Sequence, residues 1–545
     1  MNEFRQQPQG RLALLDSTLL LFFSTFQSRS TFRAAKYLRL YFRRAVSGPG
    51  MAGFEDFCAS LGLSVGIGKF LVCYLISIPC CFIQRFLPAG TVRHIWATLS
   101  GLVLTYIAFG YESLGHCVVA CVVAYGSMLV YRKKCGVITF FTTFIYLIGC
   151  HVYYMSGDSW RQGNIDFTGA MMILVLKVTS VAYDYQDGGK PRKPDDGKTA
   201  SSAAISDAPK PIAARPSLLQ FLGYTFCCGL HFAGPFYDFS AYNDWINRKG
   251  IWAPGTRTPP ALVPFLRAFV QGIVSAVIQL KLASILDIDI LKTPKVYFAM
   301  PYWRRFLFIY HACEVTRWKY YFIWSISESA MIAAGLGFSG WVRKMGKGEA
   351  GDAGGKENGG EKKEKHVGGS FTEVASWKRA QNCHILGVEL ATSTATLATN
   401  WNISVGLWLR TYVYERLVPA GGKPAFVHLL LTQIVSALWH GLYPGYLLFF
   451  VGVALEIAGS RVIYKYERAI PPQATFLKGL ATVLHAIYAC FCNNYVAIGF
   501  IVLTAQETIT AYKGLLYLGN IVPLAIVILG NFLPSPRPSR RTKTE

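Results

Sequence analysis

One histidine lies deep within an apolar run and is the first candidate for chemistry. His440 is preceded at helical spacing by Gln433 and Ser436, which form a polar stripe along one face of an otherwise apolar helix. An ionisable side chain is costly at membrane depth and usually faces a cavity or a partner. The imidazole is therefore a candidate general base; the alternative is a neutral histidine that forms a hydrogen bond between helices.

The residues after His440 predict a break in this helix. Pro444 has no amide hydrogen for the carbonyl of His440, so we expect the helix to kink or end just past the histidine. Gly441 and Gly445 would let backbone or substrate approach closely at that point. A polar stripe that ends at such a break is typical of a wet tunnel.

A second segment brings an amide to a similar depth. Asn402 opens an apolar helix that contains Arg410. If the chain runs helically from Asn402 to Val418, turns, and returns from Ala425 to His440, the two legs measure about 24 and 22 Å. Asn402 and His440 would then meet one substrate from neighbouring antiparallel helices; the alternative is that Asn402 is only an N-cap. Arg410 is a candidate for binding a phosphate or for a structural acid partner.

Other chemistry-bearing residues give weaker patterns. His311 and Glu314 are spaced as half of a carboxylate-bridged metal site, but no second such pair exists, so a helix-face contact is the simpler interpretation. Glu389 lies in an apolar helix and is expected to pair with an arginine or a polar neighbour. The 14 cysteines are scattered through apolar runs without a C-x-x-C pair, which indicates buried hydrophobes. We therefore predict no metal site.

Composition identifies the elements that must position these residues. The chain has 545 residues, of which 52% are hydrophobic. Only 15% are charged, where an ordinary soluble chain has roughly 25%. This predicts an all-α polytopic membrane protein with roughly ten or more transmembrane and re-entrant helices, and it excludes a soluble Rossmann enzyme. Continuous apolar runs, among them Leu218 to Phe236, also exclude an outer-membrane barrel. The net charge of +24 fits anionic headgroups, and we predict no nucleic acid partner.

Polar segments divide the chain. Residues 51–533 form the predicted membrane domain, with mobile polar loops at 186–215 and 343–370 and a basic tail at 534–545. Residues 1–50 hold an apolar patch and an acid-free basic run from Arg29 to Arg44. This extension could lie on an anionic membrane surface or imitate a transit peptide, and we favour a third interpretation, a segment that the membrane domain does not need.

The residues around His440 resemble a family motif. Trp439-His440-Gly441, followed by Gly445-Tyr446 and Phe450, is similar to the W-H-G-x-x-x-G-Y-x-x-x-F motif of membrane-bound O-acyltransferases, the MBOAT family. The segment around Asn402 resembles the family's asparagine segment. Further stretches resemble the lysophospholipid acyltransferase branch, namely Lys177 to Gly188, His231 to Phe236, Lys319 to Trp324 and Ala334 to Phe338. The resemblance runs from about Gly53 to about Leu533.

The resemblance implies a fold and an activity. The fold would be an MBOAT-type helical bundle around a catalytic tunnel, and the reaction would transfer a fatty acyl chain from acyl-CoA to the free glycerol hydroxyl of a lysophospholipid. His440 and Asn402 would be catalytic. Trp439, Gly441, Gly445, Tyr446, Gln433, Ser436 and Arg410 would bind substrate. Acyl-CoA would be a co-substrate, and no cofactor would be bound permanently.

Two alternatives share these residues. A different hydroxyl acceptor, such as diacylglycerol, a sterol or a peptide, would keep the histidine chemistry. A polytopic transporter would use His440 as a proton relay, but no internal repeat favours this. A loosely dibasic end with Lys543 indicates the endoplasmic reticulum membrane. Headgroup preference, acyl-chain preference and oligomeric state depend on tunnel and surface shape, which residue types alone do not specify.

Deletion of residues 1–50 tests the first domain boundary. Because the extension precedes a Gly-Pro-Gly break at 48–50, we expect the truncated protein to insert and retain its activity. Acyl transfer by microsomes that contain matched amounts of full-length and truncated protein measures this. Loss of activity in a normally inserted truncated protein would refute the interpretation.

Overall fold

The computed structural model describes residues 49–60, 62–154, 167–189, 211–257, 259–345, 371–419 and 421–534. The predicted basic N-terminal run, the greater part of both polar loops and the tail from 535 onward lie outside the described residues. The chain divides into two compact units, Met1–Gly68 and Lys69–Glu545. The second unit holds every candidate site residue.

The described chain is almost entirely helical. Up to the first strand the helices are α1 Pro49–Ser60, α2 Val65–Phe86, α3 Thr91–Val130, α4 Cys135–Tyr154, α5 Thr168–Asp187, α6 Leu218–Thr225, α7 Cys228–His231, α8 Phe239–Ile246, α9 Leu262–Ala283, α10 Pro294–Ala299 and α11 Tyr302–Ala334. Short 3-10 turns lie at Arg132–Lys134, Gly250–Trp252 and Ile288–Lys292.

The second part begins with a small hairpin. Strands β1 Gly340–Met345 and β2 Phe371–Ser376 pair antiparallel, with Gly340 opposite Ser376. The helices that follow are α12 Ile385–Glu389, α13 Thr394–Asn400, α14 Ile403–Leu409, a π-helical turn Arg410–Tyr414, α15 Glu415–Leu417, α16 Phe426–His440, α17 Pro444–Glu467, α18 Thr475–Val502, α19 Ala505–Gly514 and α20 Leu518–Phe532.

Length and hydropathy identify the membrane spans. Among the described residues, six helical segments are long and apolar enough to cross a membrane: Val65–Phe86, Thr91–Val130, Arg132–Tyr154, Leu262–Ala283, Pro444–Glu467 and Thr475–Val502. The pair α19 and α20, bent by 73°, is a possible seventh. The predicted all-helical polytopic membrane architecture is confirmed.

Two sequence-based boundaries need correction. Arg343 to Met345, assigned to the second polar loop, belong to β1, because pairing with β2 satisfies their backbone groups. Gln186 and Asp187, assigned to the first polar loop, are the last two residues of α5. The apolar run from Leu218 to Phe236 is not one span but two short, largely buried helices, α6 and α7, which are separated at Phe226 and Cys227 and followed by Gly234-Pro235.

Helix α3 breaks in its middle. Gly110 has a φ of 85°, which a helix cannot accommodate, so the 40-residue helix consists of two straight parts. The break coincides with the gap between two apolar runs of the sequence, 95–109 and 114–131. Glycine occupies this point because it adopts a positive φ without steric cost.

Helix α5 is the centre of the bundle. Sixteen of its 20 residues are buried, including Lys177, whose Nζ donates to the carbonyl of Thr225 over 2.8 Å. The indole of Trp408 donates to the carbonyl of Leu176 over 3.1 Å. Together with α4, which packs along it, α5 provides the surface on which the later helices are fixed.

A buried ion-pair cluster joins α11, α12 and α18. Arg317 Nε donates to Glu389 Oε1 over 3.0 Å, and the same guanidinium pairs with Glu314. Its NH1 donates to Asn494 Oδ1 over 2.7 Å, and the hydroxyl of Tyr321 donates to Glu389 Oε1 over 2.5 Å. The expected arginine partner of Glu389 is thus confirmed, and Glu314 serves the same cluster.

Replacing Arg317 with leucine should destabilise the fold. Two carboxylates would lose their shared cation while remaining buried, and breaking a buried pair from one side typically costs about 3–5 kcal/mol. We expect a lower melting temperature in detergent, measured by tryptophan fluorescence.

The exposed pair Arg343–Glu373 is the matched control, with side chains 76% and 51% exposed. Because exposed pairs contribute about 0–1 kcal/mol, Arg343→Leu should leave the melting temperature almost unchanged. Equal melting temperatures for the two variants would show that the buried cluster contributes nothing.

Candidate functional site

The two predicted helical legs are present. The first runs from Ile403 through the π-helical turn to Leu417, and the second is α16, which is 15 residues long and packs against that turn. Trp408 and Tyr412 fix the first leg to α5, and the indole of Trp439 fixes the second by donating to the carbonyl of Met172 over 2.9 Å. Both legs are therefore positioned by one buried helix.

His440 is surrounded by aromatic rings. The centroid of its imidazole lies 4.7 Å from Trp439, 5.5 Å from Tyr446, 5.3 Å from Phe450 and 5.0 Å from Phe500. We call these four residues the ring cage. Among the described residues neither ring nitrogen of His440 has a hydrogen-bond partner, so the interhelical bond considered above is not observed there. The imidazole is held by packing, and its nitrogens are left for a ligand.

The helix of His440 ends where the sequence predicts. α16 stops at His440, Gly441 takes a φ of 124°, and α17 starts with Pro444 in its first turn. His151 Nε2 lies 3.1 Å from the carbonyl oxygen of Trp439. Because a carbonyl only accepts, this nitrogen carries the proton and satisfies one carbonyl of the helix end.

The two predicted glycines have different roles. Gly441 provides the left-handed turn after His440. Gly445 packs against α18: its amide donates to the carbonyl of Leu503 over 2.8 Å, and a Cβ there would lie 2.2 Å from the carbonyl oxygen of Gly499. The close approach at Gly445 is thus of backbone, not of substrate.

The polar stripe is only partly buried. Ser436 is 3% exposed, whereas Gln433 is partly exposed. In the part of the chain that the structure describes, neither side chain has a hydrogen-bond partner. Their polar atoms are therefore available on the face of α16 that leads toward His440.

Asn402 occupies the N-cap position of α14 but does not cap it. Its backbone is left-handed, with a φ of 44°, a conformation that asparagine tolerates better than most residues. Its Oδ1 accepts from Asn382 Nδ2 over 2.9 Å, and the amide of Ile403 donates to the carbonyl of Asn382 over 2.9 Å. The alternative that Asn402 is merely a cap is therefore not what the structure shows.

The surrounding bonds fix the orientation of both amides. Asn382 Oδ1 accepts from the backbone amide of Ser404 over 3.0 Å and from the Ser404 hydroxyl over 2.6 Å. A backbone amide can only donate, so Asn382 must present its NH₂ to Asn402. The side-chain oxygen of Asn402 therefore accepts from Asn382. The NH₂ group of Asn402 points away from this bond and has two N–H donors available.

Aromatic contacts connect the two motifs. Phe500 of the ring cage lies 6.5 Å from Tyr320, whose ring lies 5.7 Å from Trp401, the neighbour of Asn402. Two rings thus bridge the histidine and asparagine segments. The histidine and asparagine segments are thus linked by a continuous series of aromatic contacts.

Arg410 and His311 have other partners. The side chain of Arg410 is 72% exposed, and its Nε donates to Glu415 over 3.0 Å. It starts the π-helical turn eight residues, about 12 Å of helix, beyond Asn402. Of its two predicted roles, the structure shows the structural acid partner. His311 Nε2 bonds the carbonyl of Leu282 over 3.0 Å, which is a helix contact.

The sequence analysis did not identify four residues that contact the His440 or Asn402 segment in the structure: Asn382, His151, Phe500 and Tyr320. Asn382 is separated from Ser404 by 22 positions and His151 from Trp439 by 288. No periodic pattern links such distant positions. Of the four, Tyr320 lies within Lys319 to Trp324, a stretch that carried the family resemblance, and this was the signal that could have identified it.

Comparisons with known proteins identify the family of this chain. Residues 152–502 match the family model of the membrane-bound O-acyltransferase family. The chain is 42% identical to Lysophospholipid acyltransferase 1 of Arabidopsis thaliana over 89% of its own length and 98% of that protein. It is 40% identical to Lysophospholipid acyltransferase 2 of the same plant, over 90% and 98% of the two chains. It is 26% identical to human Membrane-bound glycerophospholipid O-acyltransferase 1, over 89% and 93%.

The matched region contains both helical legs, the ring cage and the Asn382–Asn402 pair. The relatives are also covered almost end to end. This chain therefore belongs to the membrane-bound O-acyltransferase family.

Proposed function

We propose that the chain transfers a fatty acyl group from acyl-CoA to the free glycerol hydroxyl of a lysophospholipid. The observation that carries this choice of acceptor is the similarity, at about 40% identity over nearly their whole length, to two proteins named lysophospholipid acyltransferases. The ring cage supports it, because a base without a protein partner suits proton transfer to and from a substrate hydroxyl.

His440 is the proposed general base. One of its ring nitrogens takes the hydroxyl proton while that oxygen attacks the thioester carbonyl carbon. The carbon–sulfur bond then breaks, and the imidazolium returns the proton to the leaving thiolate, which gives free CoA and a diacyl phospholipid. The rings of Phe450 and Phe500 keep water from the imidazole, so that the lipid hydroxyl competes with less solvent.

Asn402 is the proposed oxyanion donor. Its NH₂ group is left available by the bond from Asn382, and an N–H donor stabilises the negative charge that develops on the thioester oxygen. Asn382 is a positioning residue, since it acts on the substrate through Asn402. Ser404 completes the cluster because its hydroxyl accepts from the amide of Phe236 over 3.1 Å while it donates to Asn382.

We also propose a location and domain boundaries. We place the protein in the endoplasmic reticulum membrane, and the lysine-containing C-terminal sequence supports this location. Co-migration with markers of that membrane on a density gradient tests it. We retain residues 1–50 as a dispensable extension, 51–533 as the catalytic domain, and 534–545 as a basic tail.

His440→Ala should abolish transfer without loss of protein. The measurement is acylation of lysophosphatidylcholine, lysophosphatidylethanolamine, lysophosphatidylserine and lysophosphatidic acid with labelled oleoyl-CoA, in microsomes that lack the host's own enzymes. Products that depend on His440 establish the reaction and rank the headgroups.

His428→Gln is the matched control on the same helix. His428 Nδ1 accepts from the amide of Ala425 over 3.0 Å, and a glutamine in this position can keep that capping bond. We expect wild-type activity. Comparable activity in purified His440→Ala protein would overturn the mechanism, and a folded wild type that acylates no lysophospholipid would overturn the acceptor in favour of another hydroxyl.

Variants of the amide pair separate the two roles. Asn402→Ala should lower kcat by roughly a hundred- to a thousandfold, as expected for loss of an oxyanion donor. Asn382→Asp keeps the acceptor for Ser404 but replaces the NH₂ group that orients Asn402, so we expect a smaller loss of kcat, of roughly tenfold or more. KM for the lysophospholipid should change little in both variants. Wild-type kcat in Asn382→Asp would show that Asn402 needs no such orientation.

A further inference from the structure

A second polar cavity lies apart from the ring cage. It has a volume of about 300 Å³ and lies where α2 ends at Phe86 and α3 begins at Thr91. Its lining includes Arg85, Arg93, Arg248, Arg257, Trp252 and Trp377. We call it the arginine pocket. It shares no residue with the ring cage or with the amide pair.

The described lining of the arginine pocket carries positive charge only. No aspartate or glutamate is among the described residues that line it. Within the described part of the chain, none of the four arginines forms an ion pair. Four cations around one small cavity repel each other, and a bound anion relieves that repulsion.

The floor of the pocket is rigid. Arg93 is 3% exposed, and its guanidinium donates to the carbonyls of Arg85, Leu87 and Trp245 over 2.7, 3.0 and 3.2 Å. These bonds use three of its five N–H groups, which leaves two without a described partner. The buried cation is thus fixed before a ligand arrives.

The rim offers flexible cations beside flat aromatic walls. Arg85 is partly exposed and Arg248 is exposed, and neither side chain has a bond to a described residue. Arg248 has a left-handed backbone, with a φ of 51°, which is uncommon for a residue with a side chain. The indole of Trp252 is held by donation to the carbonyl of Gly335 over 3.0 Å.

The position indicates the depth of the pocket. It lies at the turn between two membrane-spanning helices, so it faces the headgroup region or the water beyond it. Phe82 and Phe86, whose rings lie 5.0 Å apart and are largely exposed, precede this turn at the end of the span α2. Phosphate groups of lipids and of soluble substrates both reach this depth.

We propose that the arginine pocket binds a phosphate ester, supplied by the nucleotide part of coenzyme A or by the headgroup of an anionic phospholipid. Arginine forks bind phosphate oxygens in pairs, and the tryptophan walls cover the adjoining adenine or glycerol. The coenzyme A alternative rests on the proposed function, in which that molecule carries the acyl group, whereas the lipid alternative goes beyond it.

The double variant Arg85→Gln/Arg248→Gln tests the pocket, since neither side chain supports the fold through a described contact. Arg461→Gln/Arg468→Gln removes the same charge from exposed positions of α17 and its end and serves as control. Full-length protein in neutral detergent is titrated by calorimetry with coenzyme A lacking an acyl chain and, separately, with dihexanoyl phosphatidylglycerol against dihexanoyl phosphatidylcholine.

We expect either coenzyme A or dihexanoyl phosphatidylglycerol to bind the wild type and the control variant with equal affinity. The affinity of the double variant for that probe should be at least tenfold lower. Binding should also weaken as the salt concentration rises. A response to coenzyme A assigns the nucleotide, and a response to phosphatidylglycerol without phosphatidylcholine assigns the lipid. Unchanged binding by the double variant, equal weakening in the control, or no binding of either probe by wild type would overturn the proposal. These titrations involve no turnover, so their failure leaves the transfer assay unaffected.

Discussion

His440, the proposed general base, ends a helix inside the protein, and the packing around it follows from how the polar groups of that helix end find hydrogen-bond partners. A helix end frees carbonyl and amide groups that require partners wherever water is excluded. Here His151 bonds the carbonyl of Trp439, and the carbonyl of Leu503 receives the amide of Gly445. Helix α4 therefore has to approach the end of α16, and the end of α18 has to approach the start of α17, where α18 brings Phe500 against the imidazole. The helix break, the ring cage and the packing of these helices thus all follow from the need to give the backbone groups at the helix end hydrogen-bond partners.

Local sequence signals were sufficient for much of this. Pro444 predicted the end of the helix of His440, and the similar lengths of the segments 402–418 and 425–440 predicted the paired legs that carry Asn402 and His440. The hydrophobic composition predicted the helical membrane class, and Glu389 predicted a buried partner. Each of these inferences rests on residues within one or two helical turns, or on the sum over the chain.

The remaining features depend on contacts between distant positions. Nothing in the local sequence distinguishes Asn382 from other loop asparagines, and only the fold places it beside Asn402. The sequence left two roles open for Arg410, a phosphate ligand or the partner of a structural acid, and the fold shows its bond to Glu415. Gly445 was read correctly as a point of close approach, but only the position of α18 shows that backbone approaches it. Long-range packing decides such cases, and spacing along the chain does not encode it.

The segment between Asn382 and Asn402 begins and ends at one point of the bundle and packs against the bundle between its ends. The amide of His384 donates to the carbonyl of Asn400, Glu389 pairs with Arg317, and Thr394 donates to Glu456 over 2.8 Å. The segment is thus closed at its base, between His384 and Asn400, and fixed to the bundle at Glu389 and Thr394. Leu390, which lies between those two fixed residues, is 72% exposed.

Such a closed path has an evolutionary consequence. The position of Asn402 does not depend on the number of residues between Glu389 and Thr394, so changes of length within the family should accumulate there and not at the base. Hydrogen bonds connect Asn382 with both Asn402 and Ser404. A substitution at one of these positions therefore changes which hydrogen-bond donor or acceptor is needed at the other two. These three positions should therefore be inherited as a group, more tightly coupled to each other than to their neighbours along the chain.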